Sequence, residues 1–104
     1  LAGFSFGGYV AANAAKRLEG QGIHVSPLVL VSPATGRFDV PAVSPEALVL
    51  EGEVDDVVPL ADILDWARPQ GLPVTVVPGT GHFFHGQLGT LKLLVQAHLR
   101  AWTA

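Results

Sequence analysis

Three residue types, met in order along the chain, could together run a nucleophilic reaction. Ser5 lies within Gly3-Phe4-Ser5-Phe6-Gly7, after a short apolar stub and before an alanine-rich run. A carboxylate follows at Asp55 or Asp56, within Gly52-Glu53-Val54-Asp55-Asp56-Val57-Val58-Pro59. A histidine follows at His82 or His85, within Gly79-Thr80-Gly81-His82-Phe83-Phe84-His85-Gly86. The chemistry needs all three types. Serine is a poor nucleophile as an alcohol, so a histidine must take its proton and later return it to the leaving group. A carboxylate must hold the imidazole in one tautomer and stabilise its cation. Taken alone, Gly-x-Ser-x-Gly also describes a glycine-rich turn that opens a helix. It gains chemical meaning only from its partners downstream.

Such a site needs elements that deliver the three residues to one place. Residues 1–4 read as the end of a strand and residues 9–19 as a helix. In that helix Ala11, Ala12, Ala14 and Ala15 favour the helical state and permit close approach to a sheet. Ser5 would then sit on a sharp strand-to-helix turn. Glycines at 3 and 7 are expected to remove Cβ atoms that would clash with the neighbouring backbone. The N–H of Phe6 would point to where an oxyanion forms. The helix is expected to stop at Gly20-Gln21-Gly22.

Further strands are expected in the apolar runs at 27–33, 47–52 and 73–77, each short, β-branched and bounded by proline or glycine. Residues 34–45 read as a loop too short for a lid domain. Pro59 suits the first position of a helix over 60–68, and a last helix runs from about 87 or 90 to 102. Strands alternating with helices predict an α/β fold with a parallel sheet and flanking helices. Ser5, the Asp55/Asp56 pair and the His82/His85 pair each follow a different strand. All can therefore converge at the carboxyl edge, where open α/β sheets place ligands.

Composition narrows the classes. With 104 residues the chain is long enough for one core, and no repeat or linker divides it. Its 49% hydrophobic and 14% charged content fits strands apolar on both faces. It also fits a partial domain whose missing half covers part of the surface. A net charge of -3, with no basic run, gives no reason to expect nucleic acid or an anionic membrane. The absence of cysteine removes disulfides, thiolate zinc ligands and a thiol nucleophile. Neither a signal peptide nor a membrane-spanning run is visible, and the expected location is cytoplasmic.

The motifs Gly3-Phe4-Ser5-Phe6-Gly7-Gly8-Tyr9, Gly52-Glu53-Val54-Asp55-Asp56-Val57-Val58-Pro59 and Gly81-His82-Phe83-Phe84 together resemble those of the α/β-hydrolases. The similarity is to small lidless bacterial members related to dienelactone hydrolases and carboxylesterases. It spans essentially the whole chain and corresponds to the carboxyl-terminal half of the fold, from the nucleophile elbow onward. In such families the acid lies in a Gly-x-x-Asp-x-x-Val-Pro turn, which implies Asp55 rather than Asp56. The base is the histidine that opens His-Phe-Phe, which implies His82 rather than His85.

The resemblance therefore implies a serine hydrolase cleaving an ester or related acyl bond with a Ser5-Asp55-His82 triad and the Phe6 N–H in the oxyanion hole. Tyr9 and Phe83 are candidate substrate contacts. The expected partner is a small acyl or ester molecule, with no cofactor and no metal. The chain is expected to be one partial domain, 1–104, without the early strands and the oxyanion loop of a complete enzyme. Losing one oxyanion donor costs roughly 2.7–4 kcal/mol of transition-state stabilisation. Weak activity or none is therefore expected of these residues alone. The alternative is a non-catalytic half-domain that forms a homodimer through an exposed sheet edge beside residues 1–4.

The other chemistry-bearing residues have simpler readings. Asp56 suits a helix start, where acids are favoured. Glu53 reads as a local hydrogen-bond acceptor, His85 as a loop residue, His98 as a packing residue and His24 as surface. No His-x-x-x-His spacing suggests a metal, and the glycine loops match no phosphate-binding pattern.

Overall fold

Short apolar runs bounded by proline and glycine form the sheet of this protein. The computed structural model describes residues 1–103. Strands β1 (Ala2–Phe4), β2 (Val29–Val31), β3 (Leu48–Gly52) and β4 (Thr75–Val77) pair in the order β1-β2-β3-β4, all parallel. Helix α1 (Phe6–Gly20) joins β1 to β2, and α2 (Leu60–Ala67) with a 3-10 turn (Arg68–Gln70) joins β3 to β4. Helix α3 (Leu88–Thr103) follows β4. This is the α/β architecture expected from the alternation of buried runs and helical segments.

Several boundaries differ from expectation, among them β2, which covers 29–31 of the apolar run 27–33. α1 begins at Phe6, three residues before the expected start at 9. Gly7 and Gly8 have low helix propensity, but the turn at Ser5 feeds directly into the helix and tertiary geometry overrides local preference. β4 begins at Thr75, not at Pro73, because proline cannot donate to a strand ladder.

Register assigns the faces. Gly3, Leu30 and Val49 are aligned on one face, while Phe4, Val31 and Leu50 are aligned on the other. The first face is covered by α1 and α2. There Ala11, Ala12 and Ala15 of α1 and Ile63 and Ala67 of α2 join Leu30 and Val49 in one buried cluster. Burying each large aliphatic side chain contributes about 1.5–3 kcal/mol. α3 lies over the second face, where Leu91 and Val95 line a groove of about 310 Å³ with Phe4, Val29 and Val31. No residue of 88–102 is fully buried. Among the described residues no helix is long and apolar enough to cross a membrane.

Candidate active site

All three candidate side chains emerge at the carboxyl ends of strands. Ser5 follows β1 directly and precedes α1 with φ 56° and ψ -118°. A non-glycine residue in the left-handed region costs about 1–3 kcal/mol unless its surroundings hold it there. Three backbone bonds do so. The Ser5 N–H donates to the Val31 carbonyl at 2.9 Å, and the Ser5 carbonyl accepts from Gly8 at 3.0 Å and Ala34 at 3.2 Å.

The glycines divide their work differently from the sequence reading. A Cβ on Gly3 would lie 2.0 Å from the Gly7 carbonyl oxygen, so Gly3 permits the close return of the chain. A Cβ on Gly7 would meet nothing within 4 Å, which corrects the expectation that Gly7 avoids a clash. Gly8 has that role, because its Cβ would stand 2.9 Å from the Pro33 side chain. The Ser5 hydroxyl does not cap α1, and the first turn carries no acid. The Phe6 N–H therefore stands at a helix N-terminus whose positive dipole end is not met by a carboxylate.

Asp55 sits in the turn after β3. Its Oδ1 accepts the Val57 N–H at 2.9 Å and the Val58 N–H at 2.8 Å. Its Oδ2 lies 2.7 Å from Nδ1 of His82, in a contact that is buried on both sides. Burial raises the Asp55 pKa. The Val58 N–H, the His82 ring, the Glu51 side chain and the Val57 N–H lower it and prevail, so Asp55 stays below the usual aspartate value. An ionised Asp55 makes Nδ1 of His82 the protonated nitrogen and leaves Nε2 as the base.

His82 is held by the loop after β4. Gly52 lets that loop approach, since a Cβ there would lie 2.3 Å from the Thr80 carbonyl oxygen. Val54 N–H donates to the Thr80 carbonyl at 3.0 Å, and Glu53 Oε1 accepts from the Gly79 N–H at 2.8 Å. Phe84, at φ 56°, turns inward and is 1% exposed, pinning the loop.

The structure thus brings Asp55 and His82 into direct contact. Ser5 is linked to them through Phe4, whose ring centroid lies 4.8 Å from that of His82. The bond to Asp55 is the hydrogen bond of the His82 ring among the described residues, and none joins it to the Ser5 hydroxyl. In unliganded sites nucleophile–base contacts are often loose. Asp56 and His85 are exposed, in contrast to the buried Asp55 and His82.

Aromatic residues form two groups. Phe6 and Tyr9 meet Phe38, at 5.0 Å for each ring pair with Phe38. Phe83 stands edge-on to His82 at 5.0 Å and is 62% exposed. Phe38 escaped the sequence reading because a loop residue at no fixed spacing gives no signal until the fold brings it to α1. Glu51 and Ser32 also went unnoticed. Ser32 Oγ donates to Glu51 Oε1 at 2.8 Å, and both residues are fully buried. A lone acid inside an apolar strand run was the signal for Glu51.

A parallel sheet, a strained serine between strand and helix, and a buried Asp–His pair at the same sheet edge are the features of the α/β-hydrolases. The chain belongs to that superfamily. It is similar to a lidless α/β serine hydrolase from Xanthomonas campestris, with 36% identity and a TM-score of 0.83 over 100% of this chain and 48% of that one. An α/β serine hydrolase homologue from Coxiella burnetii shares 35% identity, with a TM-score of 0.70 over 93% of this chain and 47% of its own. A protein of unknown function from Agrobacterium tumefaciens has the same fold at 23% identity and a TM-score of 0.82. The chain spans about half the length of these solved structures. No protein-family model and no curated protein matches it.

Proposed function

We propose that this chain carries the catalytic triad of a serine hydrolase that cleaves an ester or related acyl bond. The observation that carries the reading is the buried 2.7 Å contact between Asp55 and His82, at the sheet edge where Ser5 is held in a strained turn. Ser5 Oγ attacks the acyl carbon while Nε2 of His82 takes its proton. The carbonyl π electrons move to oxygen, and the oxyanion is met by the Phe6 N–H. The intermediate collapses, the alkoxide leaves with the proton from His82, and an acyl-serine remains. Water then repeats the sequence, forming the acid and restoring Ser5.

Asp55 orients the ring and balances the imidazolium charge. The substrate is a small acyl compound. Tyr9, Phe6 and Phe38 form an apolar cluster at the start of α1, directly after Ser5, and Phe83 stands beside His82. Hydrolysis of p-nitrophenyl acetate by a form that also carries the early strands and the oxyanion loop tests the reading. Ser5→Ala and His82→Ala are expected to lower turnover by about 10³-fold or more, to the level that binding and the oxyanion hole alone sustain. Equal rates for these variants and the parent protein would remove the assignment.

A second reading is favoured by one observation. Among the described residues β1 pairs with β2 alone, and α3 leaves Leu93 67% and Trp102 46% exposed. An open strand edge beside apolar surface suits association of two copies. This reading concerns assembly and is compatible with the first.

A further inference from the structure

Behind the Asp55–His82 pair lies a carboxyl group for which the hydrolytic sequence has no use. Glu51, in β3, is 0% exposed. Its Oε1 accepts from Ser32 Oγ at 2.8 Å and from the Gly52 N–H at 3.0 Å. Its Oε2 is buried and receives no donor. The side chain faces the Asp55 carboxylate. A carboxylate here would lose its hydration, leave one oxygen bare and meet a like charge. A carboxylic acid resolves all three problems. The proton on Oε2 turns the bare acceptor into a donor, and the neighbouring Asp55 carboxylate accepts it.

Burial and then Asp55 push Glu51 from 4.5 up to about 8, with the Ser32 and Gly52 hydrogen bonds offsetting only part. Asp55 moves the other way, so the two carboxyls hold unequal shares of one proton. Asp55 is the charged group facing Glu51. His82 lies beyond it on the loop after β4, and Ser32, at the end of β2, is neutral.

We propose that Glu51 is a positioning residue: a neutral acid, anchored by Ser32, that donates a hydrogen bond to Asp55 and so fixes the carboxylate that orients His82. The proposal rests on the reading of Asp55 and His82 as the catalytic pair. Ser32 is built for this anchor, since its backbone turns through φ 47° and its N–H donates to the Leu50 carbonyl at 2.8 Å. Loss of the Glu51 proton puts two carboxylates side by side. The arrangement therefore ties the geometry of the pair to pH on the alkaline side.

Carbon-13 titration of the Glu51 carboxyl, with the His82 Nδ1 proton resonance and ester hydrolysis, tests this in the parent protein and in Glu51→Gln and Glu51→Leu. The Glu51 carboxyl is expected to be neutral below pH 7 and to ionise near about 8. Gln keeps both an acceptor for Ser32 and a donor for Asp55. E51Q should retain the Nδ1 resonance and lose its alkaline transition, with kcat within about threefold of the parent. E51L should broaden or shift that resonance and lower kcat by at least about tenfold at little change in KM, the scale of one lost hydrogen bond to a charged group.

Should E51L fail to fold, Ser32→Ala provides a second measurement. Its lost hydrogen bond favoured the charged form, so the Glu51 midpoint should rise. A Glu51 ionised at pH 6, an E51Q that behaves as E51L, or an unmoved midpoint in S32A overturns the proposal. Absence of hydrolysis in every protein, with the resonances as expected, would bear on the hydrolase reading alone and leave the Glu51–Asp55 bond supported.

Discussion

At Asp55 and Glu51 the same burial has opposite outcomes, and the difference is the supply of donors. Asp55 receives two backbone N–H groups and an imidazole, so its folded pKa falls below the 3.8 of a free aspartate. Its stabilising contribution is therefore present above about pH 3.8 and lost as pH falls through the folded value. Asp55→Asn should flatten this acid limb in urea unfolding. It should also lower kcat about 10⁴-fold with the fold retained, because an amide favours the wrong histidine tautomer. Glu51 has the opposite sign. Between 4.5 and about 8 its folded form holds a proton that the unfolded form has lost. Stability falls with rising pH across that window, with a slope approaching about 1.4 kcal/mol per pH unit, and E51Q should remove the slope. The order serine, aspartate, histidine was legible in the chain, whereas the choice of Asp55 over Asp56 and of His82 over His85 came from the family resemblance. Glu51 was not legible, because what matters there is a contact with Asp55 that appears only when β3 and its following turn fold back together.

Among the elements, the turn between β1 and α1 and the loop after β4 carry the geometry, and glycines decide both. Gly3→Ala places a methyl group 2.0 Å from a backbone oxygen that cannot move without displacing α1. The expected cost is at least about 2 kcal/mol, measured by chemical unfolding. Gly7→Ala meets open space in a helix and is expected to be neutral or stabilising by up to about 1 kcal/mol. If G7A proves as damaging as G3A, the division of work at the turn is wrong. Gly52→Ala should push away the Thr80 carbonyl and with it His82, weakening the Nδ1 proton signal of the Asp55 contact. The order of strands and helices could be read from apolar runs and their proline and glycine borders. The early start of α1 could not, since Gly7 and Gly8 look like turn residues unless the packing of Gly8 on Pro33 is known.

Across the described residues, one sheet face is closed and the other is half open. The face under α1 and α2 holds the buried cluster, whereas Phe4 is 42% exposed and α3 is nowhere fully buried. With β1 paired on one side only, sedimentation velocity should show mass rising with protein concentration. A concentration-independent monomer would count against association through that edge. Composition hinted at this imbalance through its high apolar content, but only the placement of α3 shows which face is uncovered. Ser5, held at φ 56° at the sheet edge that also carries the buried Asp55–His82 pair, is the proposed nucleophile. The most direct test of that role is reaction of the folded protein with a fluorophosphonate, followed by peptide mass spectrometry. The account predicts one adduct on Ser5, lost in Ser5→Ala and strongly slowed in His82→Ala. An unlabelled Ser5 in the well-folded protein, or equal labelling when His82 is replaced, would contradict it.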